Sequence, residues 1–212
     1  MRIGLALATF ATLERLHAAT ALLGPTPQLP EGPFFPSPAA DEVGADPGQV
    51  ADPSALGEIL NLRGRVFGDD AHPVAGALVI IWQANTWGRY HHPADGNPAP
   101  LDAGFRGWGR ATTDGDGRFA FRTVVPGPYP ISDVAWRAPH INVRVRRDGY
   151  RSLTTQLFLP RHGLNSQDAI YHALSDEQRA RVSLLLQEPG FEDDPDELHA
   201  SCDLVLARLR QG

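Results

Sequence analysis

Residues 58–84 read EILNLRGRVFGDDAHPVAGALVIIWQA, and three textures follow one another within them. In EILNLRGRVF (58–67) apolar and polar side chains alternate, which is the period of a strand with one face buried. GDDAHPVAG (68–76) gathers the Gly, Asp and Pro residues that bend a chain. ALVIIWQA (77–84) is continuously apolar, so it reads as a strand inside a core.

The same strand and turn texture continues outward. GRATTDGDGRFAFRTV (109–124) predicts two strands joined by Asp114-Gly115-Asp116-Gly117, a hairpin signal. APHINVRVRR (138–147), LTTQLFLP (153–160) and ASCDLVLARL (200–209) predict further strands. One late helix is expected in SDEQRARVSLLLQ (175–187), with Ser175 and Gln178 as a capping box and Pro189-Gly190 as its stop. Many short strands with turn punctuation predict an all-β, two-sheet β-sandwich with helical additions outside it.

The ends read differently. Gly24 to Pro53 is rich in Pro, Gly, Ala and Asp, and predicts an arm running over the surface. The first residues, MRIGLALATF, read in two ways. They match the start of an export signal, but Glu14, Arg15 and His17 interrupt the apolar run. Leu5, Leu13, Leu16, Leu22 and Leu23 equally line a docking helix. The domain reading is therefore a helix and arm over 1–53 and a sandwich domain over 54–212. No membrane-spanning helix is expected, and a cytoplasmic location is the default.

Composition narrows the function. The chain has 212 residues and a formal charge of −6, which argues against an electrostatic nucleic-acid binder. All 19 basic residues are Arg, dispersed along the chain. Cys202 stands alone, so neither a disulfide framework nor a Cys-rich metal site is available. Any metal would have to use His, Tyr, Asp or Glu.

Five residues at strand ends and turns draw attention. Tyr90 sits in WGRYHHPAD, where a strand gives way to a Pro-broken loop, and Tyr129 sits in the rigid turn VPGPYP. Arg137, His140 and Asn142 belong to WRAPHINVRV (136–145). On a strand, residues two apart face the same way, so His140 and Asn142 point together. A phenol is ordinarily a poor ligand because its pKa near 10 keeps it protonated, but a hard trivalent cation displaces that proton. Bland readings stand beside this one: Tyr90 as the edge of a core, Tyr129 as a turn aromatic, His140 as a satisfied strand histidine, and Arg137 paired with Asp133. His72, His91, His162, His172 and His199 read as solvated.

From TPQLPEGPFFP (26–36) through GRVFGDDAHPVAGALVIIWQANTWGRYHHPAD (64–95), LDAGFRGWGRATTDGDGRFAFRTVVPGPYP (101–130) and TQLFLP (155–160) to CDLVLA (202–207), the chain resembles the intradiol ring-cleavage dioxygenases. It is most similar to their protocatechuate 3,4-dioxygenase branch, in particular the iron-bearing β subunit. The resemblance implies a β-sandwich holding Fe(III) on two Tyr and two His. It implies cleavage of a small aromatic diol of the catechol type by O2, to a muconate-type diacid, without a reduced cofactor. Tyr90 and Tyr129 match the two tyrosine ligands, Tyr129 being the one released when substrate binds. His140 matches the first histidine, Arg137 an arginine that stabilises the ketonised substrate, and Gln156 a glutamine lining the site. The family reads His-x-His where this chain reads His140-Ile141-Asn142, so Asn142 is expected at the fourth ligand position, with His92 as an alternative donor. A His-Ile-Asn triplet resembles the iron-free α subunit, which lacks the tyrosines that this chain keeps. Ile131 stands where protocatechuate enzymes usually carry Trp. Two other readings remain open: a catalytically silent homologue or partner subunit, and a transthyretin-like binding module. A homo- or hetero-oligomer is possible on either reading.

Overall fold

The computed structural model describes residues 24–36 and 50–209. The expected N-terminal helix and much of the arm lie outside these residues. The strands are β1 (Ile59–Gly68), β2 (Leu78–Trp82), β3 (Trp108–Thr112), β4 (Arg118–Val124), β5 (Tyr129–Ser132), β6 (Ala135–Arg137), β7 (His140–Arg146), β8 (Leu153–Phe158), β9 (Leu185–Gln187) and β10 (Leu198–Leu206). A 3-10 turn at Gly163–Ser166 and two helices, α1 (Ala169–His172) and α2 (Asp176–Val182), lie between β8 and β9. One sheet runs β4-β1-β10-β9, a second runs β3-β2-β7-β8, and β5-β6 form a small hairpin. The expected two-sheet sandwich is the observed fold. Among the described residues, no helix is long and apolar enough to cross a membrane.

Alternation in the strands builds the core. Leu60 and Leu62 of β1, Phe119 and Phe121 of β4, and Ile141, Val143 and Val145 of β7 all point between the sheets. Each fully buried aliphatic side chain contributes roughly 1.5–3 kcal/mol of transfer free energy. The odd-numbered positions of β7 are thereby committed to the core, which turns His140 and Asn142 to the opposite face.

Two expectations change on contact with the structure. Asp114 to Gly117 does close as a turn, with the Asp114 N–H donating to the Arg118 carbonyl at 3.0 Å. Yet β3 pairs with β2 and β4 pairs with β1, so the turn crosses between sheets instead of forming a hairpin. The crossing brings Ala111 of one sheet and Phe119 and Phe121 of the other into the same core cluster. The late helix keeps its capping box of Ser175 and Gln178 but ends at Val182. Leu184 then donates its N–H to the Phe158 carbonyl at 2.9 Å, and Leu185–Gln187 join β10 as an edge strand.

The outer face of the second sheet carries a transverse row. Trp82, Asn142 and Gln156 are direct partners across β2, β7 and β8. This face is covered by a smaller apolar cluster in which Ile80, Trp82, Ala84, Tyr90 and Tyr129 pack with Phe34 and Phe35 of the arm. The arm is tied down by the Thr26 N–H to Val205 carbonyl bond (3.0 Å) and the Leu29 N–H to Thr154 carbonyl bond (2.9 Å).

Candidate metal centre

The loop after β2 delivers Tyr90, and the Pro126-Gly127-Pro128 segment delivers Tyr129. Asn85, 1% exposed, ties the two together. Its side-chain oxygen accepts from the N–H groups of Trp87 and Arg89, both at 3.0 Å, while its carbonyl accepts from Gly88 (3.0 Å) and Gly127 (2.9 Å). The Tyr90 N–H is held in turn by the Asp95 carboxylate at 2.7 Å. The two loops are thus pinned before either phenol is placed.

The side chains then converge. Tyr90 Oη stands 3.5 Å from His140 Nε2 and 3.0 Å from Asn142 Nδ2. The rings of Tyr90 and Tyr129 meet edge to face at 5.5 Å between centroids, and Tyr129 lies 5.7 Å from His140 by the same measure. His140 Nδ1 lies 2.7 Å from the Ala138 carbonyl, an acceptor, so Nδ1 carries the proton and Nε2 presents its lone pair to Tyr90. Burial, aided by nearby Arg137, lowers His140 to about 3, so its ring is neutral at ordinary pH. Burial likewise raises Tyr90 well above the usual phenol range, with Tyr129 adding to the effect and Asn142 and Arg137 opposing it. Tyr129 is also raised by burial, with the Arg137 charge opposing.

Arg137 is fixed on three sides. Its Nε donates to Asp168 at 2.8 Å, one terminal nitrogen donates to Gln156 Oε1, and the other lies 3.5 Å from Tyr129 Oη. Asp168 is fully buried, caps α1 through the Ile170 and Tyr171 N–H groups, and accepts from the Ala138 N–H at 2.9 Å. Burial would raise its carboxyl, but Arg137 and the backbone donors outweigh it and the pKa is lowered.

A cavity of about 610 Å³ opens beside this cluster, bounded by Phe34, Tyr129, Ile131, Asp133, Trp136 and Arg137 among others. Tyr129 and Arg137 line it. Tyr90, His140 and Asn142 lie behind them.

The structure therefore brings Tyr90, Tyr129, Arg137, His140 and Asn142 together. It departs from the sequence reading at several points. Gln156 does not line the cavity: it is fully buried behind Arg137, with its amide donating to the Pro30 carbonyl at 2.9 Å. Arg137 pairs with Asp168, not with the exposed Asp133, because the buried guanidinium needs a buried carboxylate. The Asn142 atom that faces the phenol is its nitrogen, a hydrogen-bond donor. His92 is turned to its own loop, accepting from the Ala94 N–H at 3.1 Å with its ring 5.6 Å from that of Phe34. His199 is 4% exposed, not solvated, and Nε2 donates to the Asp194 carbonyl at 3.0 Å. The sequence reading missed Asp168, whose one signal is a helix-capping Asp ahead of AIYH, and Asn85.

The donor set suits a hard cation. Among the described residues no three His, Cys, Asp or Glu side chains gather as a metal group, and the donors that meet here are two phenols and one imidazole. With metal–ligand bonds of about 2.0–2.2 Å, two donors of one ion can stand as far apart as Tyr90 Oη and His140 Nε2. The unprotonated imidazole nitrogen, Nε2, is the one that faces Tyr90.

A family model described as Dioxygenase matches residues 31–207. The protocatechuate 3,4-dioxygenase beta chain of Burkholderia cepacia is 40% identical over 136 residues, covering 63% of this chain and 58% of that protein. Catechol 1,2-dioxygenase 2 of Acinetobacter lwoffii is 33% identical over 165 residues, covering 68% and 55%. The chain thus spans less than two thirds of these two relatives. Among solved structures, the dioxygenase domain of a carbohydrate-binding fusion from Streptomyces sp. SirexAA-E aligns with a TM-score of 0.64 at 31% identity, over 87% of this chain and 99% of that one. The 3-chlorocatechol 1,2-dioxygenase of Rhodococcus opacus 1CP aligns at 0.69 and 26%, over 93% and 78%. A transthyretin-like module is set aside by these matches: the chain belongs to the intradiol ring-cleavage dioxygenase family.

Proposed function

We propose that the chain is a ferric-iron intradiol dioxygenase that opens a small catechol-type diol between its hydroxylated carbons with O2, yielding a muconate-type diacid. The observation that carries this reading is the meeting of two phenols with a neutral imidazole nitrogen directly behind a cavity, next to a buried arginine. Tyr90, Tyr129 and His140 would hold the ion. When bound, ferric iron supplies the Lewis acidity that takes up both oxygens of a diol as anions and makes the ring reactive toward O2.

The remaining work falls to side chains. Tyr129 belongs both to the cavity wall and to the phenol cluster, so it is the group an incoming diol oxygen meets first. Its Oη, a phenolate while it holds the ion, would give way and take up a proton from the diol. Arg137 keeps its charge at the cavity wall because Asp168 and Gln156 fix it there, and that charge stabilises the negative oxygen of a ketonised ring. Phe34, Pro33, Ile131 and Trp136 keep competing water off the ring.

The silent-homologue reading is favoured by one observation, the amide N–H of Asn142 where the resemblance implies a second histidine. Loading with iron separates the two. An active enzyme is expected to take up about one iron per chain, as a mononuclear site requires, to absorb visible light, and to consume O2 and catechol in equal amounts. A colourless chain that retains no iron and consumes no O2 would decide for the silent reading.

A further inference from the structure

Asn142 is 2% exposed, so its side-chain amide must find its partners within the protein. Nδ2 lies 3.0 Å from the Trp82 carbonyl oxygen and 3.0 Å from Tyr90 Oη. A backbone carbonyl can only accept, which settles which end of the amide faces it. The sheet fixes the first contact, since Trp82 and Asn142 are direct partners across β2 and β7. The second N–H of the same nitrogen then meets the phenol oxygen. Turning the amide over, so that its oxygen faced the phenols and an ion among them, would set two acceptors against each other beside Trp82 with no water to intervene.

The geometry points to Asn142 as a positioning residue and not a ligand: its N–H group holds the Tyr90 oxygen, and Tyr90, Tyr129 and His140 alone hold the ion. This rests on the iron-binding reading above. It differs from the expectation that Asn142 serves as the fourth ligand. It also gives the His-to-Asn departure a physical role, in which a donor to metal becomes a donor of hydrogen bonds to the neighbouring ligand.

Asn142→Asp separates the roles because the two predict opposite signs. A ligating Asn142 would be improved by a carboxylate, and iron would be retained more tightly against a chelator. A positioning Asn142 loses its N–H and sets a carboxylate oxygen against Trp82 and Tyr90. Iron retention then falls by roughly 10–100-fold, the usual range for lost outer-sphere support. The visible band moves to longer wavelength, because the Tyr90 oxygen has lost the N–H that stabilises its electrons. Asn142→Leu, which neither ligates nor donates, is expected to show the same band shift. Retention in Asn142→Asp equal to or above wild type with an unmoved band overturns the proposal. Should wild type take no iron, the reading under Proposed function fails separately. The orientation is then read in metal-free protein from the Asn142 side-chain amide protons. Slow exchange of both, with one released in Tyr90→Phe, supports the arrangement, and fast exchange of both overturns it.

Discussion

Gly88 and Pro128 touch so closely that a β-carbon at Gly88 would stand 2.1 Å from the Pro128 carbonyl oxygen. Gly88 also holds φ at +82°, where side chains are strained. Gly127 makes the reciprocal approach, its β-carbon falling 2.4 Å from the Thr86 carbonyl. The loop carrying Tyr90 lies on the loop carrying Tyr129 because two β-carbons are missing, and the separation of the phenols follows.

Gly88→Ala should therefore damage the site more than the fold. The inter-sheet core does not include this loop, so the far-ultraviolet circular dichroism is expected to match wild type. Strain at a positive φ costs about 1–3 kcal/mol, and relief of the clash must move one loop. Iron retention is expected to fall at least about tenfold, as for other lost supporting contacts. Wild-type retention in a folded Gly88→Ala protein would show that this contact does not set the phenol spacing.

Asp168 makes an acid-side prediction. Its pKa is lowered in the folded chain, so more protons bind the unfolded state and the ion pair stabilises above the ordinary carboxyl range. That contribution is complete above about pH 4 and fades as the pH falls through the lowered folded value. Asp168→Asn leaves the Arg137 guanidinium without its charge partner, which for buried pairs costs on the order of 3–5 kcal/mol. The stability gap between wild type and Asp168→Asn, measured by urea unfolding, should be level from neutral pH to about pH 4 and narrow below it. His140 is held up in part by the Asp168 charge and falls further in the variant, so the comparison is made in a His140→Gln background. A gap that is unchanged at pH 2.5 would mean that the carboxylate charge is not what holds Arg137.

Strand parity explains what was readable beforehand. HINVRVR alternates so strictly that His140 and Asn142 had to share the face opposite Ile141 and Val143, and the family motifs supplied Tyr90, Tyr129 and Arg137. Asp168 was not readable because it follows Arg137 by 31 residues in a stretch whose local pattern speaks only of helix capping. The hairpin expectation at Asp114 to Gly117 failed for a related reason. Turn chemistry is local, whereas the choice between pairing β3 with β4 and sending them to facing sheets depends on β1 and β2. The end of α2 was misread because SLLLQ satisfies a helical stripe and an edge strand equally well, and only β10 decides between them. The amide orientation of Asn142 depends on a carbonyl 60 residues away, at Trp82.

On the proposed function, the charge of the cavity bears on which diols it would accept. Its wall carries two carboxylates, Asp95 and Asp133, and among the described residues lining it Arg137 is the one cation. That cation is already engaged by Asp168, Gln156 and Tyr129. A ring bearing its own carboxylate would lose hydration on entry and find no unengaged partner, while exposed Ile131 and Trp136 favour an apolar substituent. Catechol and methylcatechol are thus expected to bind at least about tenfold more tightly than a carboxylated catechol, on the order of 1.4 kcal/mol. Asp133 is exposed, so Asp133→Lys should fold normally and narrow or reverse that ratio, with the effect shrinking at high salt as exposed charges are screened. The measurement is displacement of bound catechol followed optically in both proteins. Equal affinity of wild type for the neutral and carboxylated rings would show that the wall charge does not select the substituent, and a ratio unchanged in Asp133→Lys would move the selection to the Ile131 and Trp136 side of the cavity.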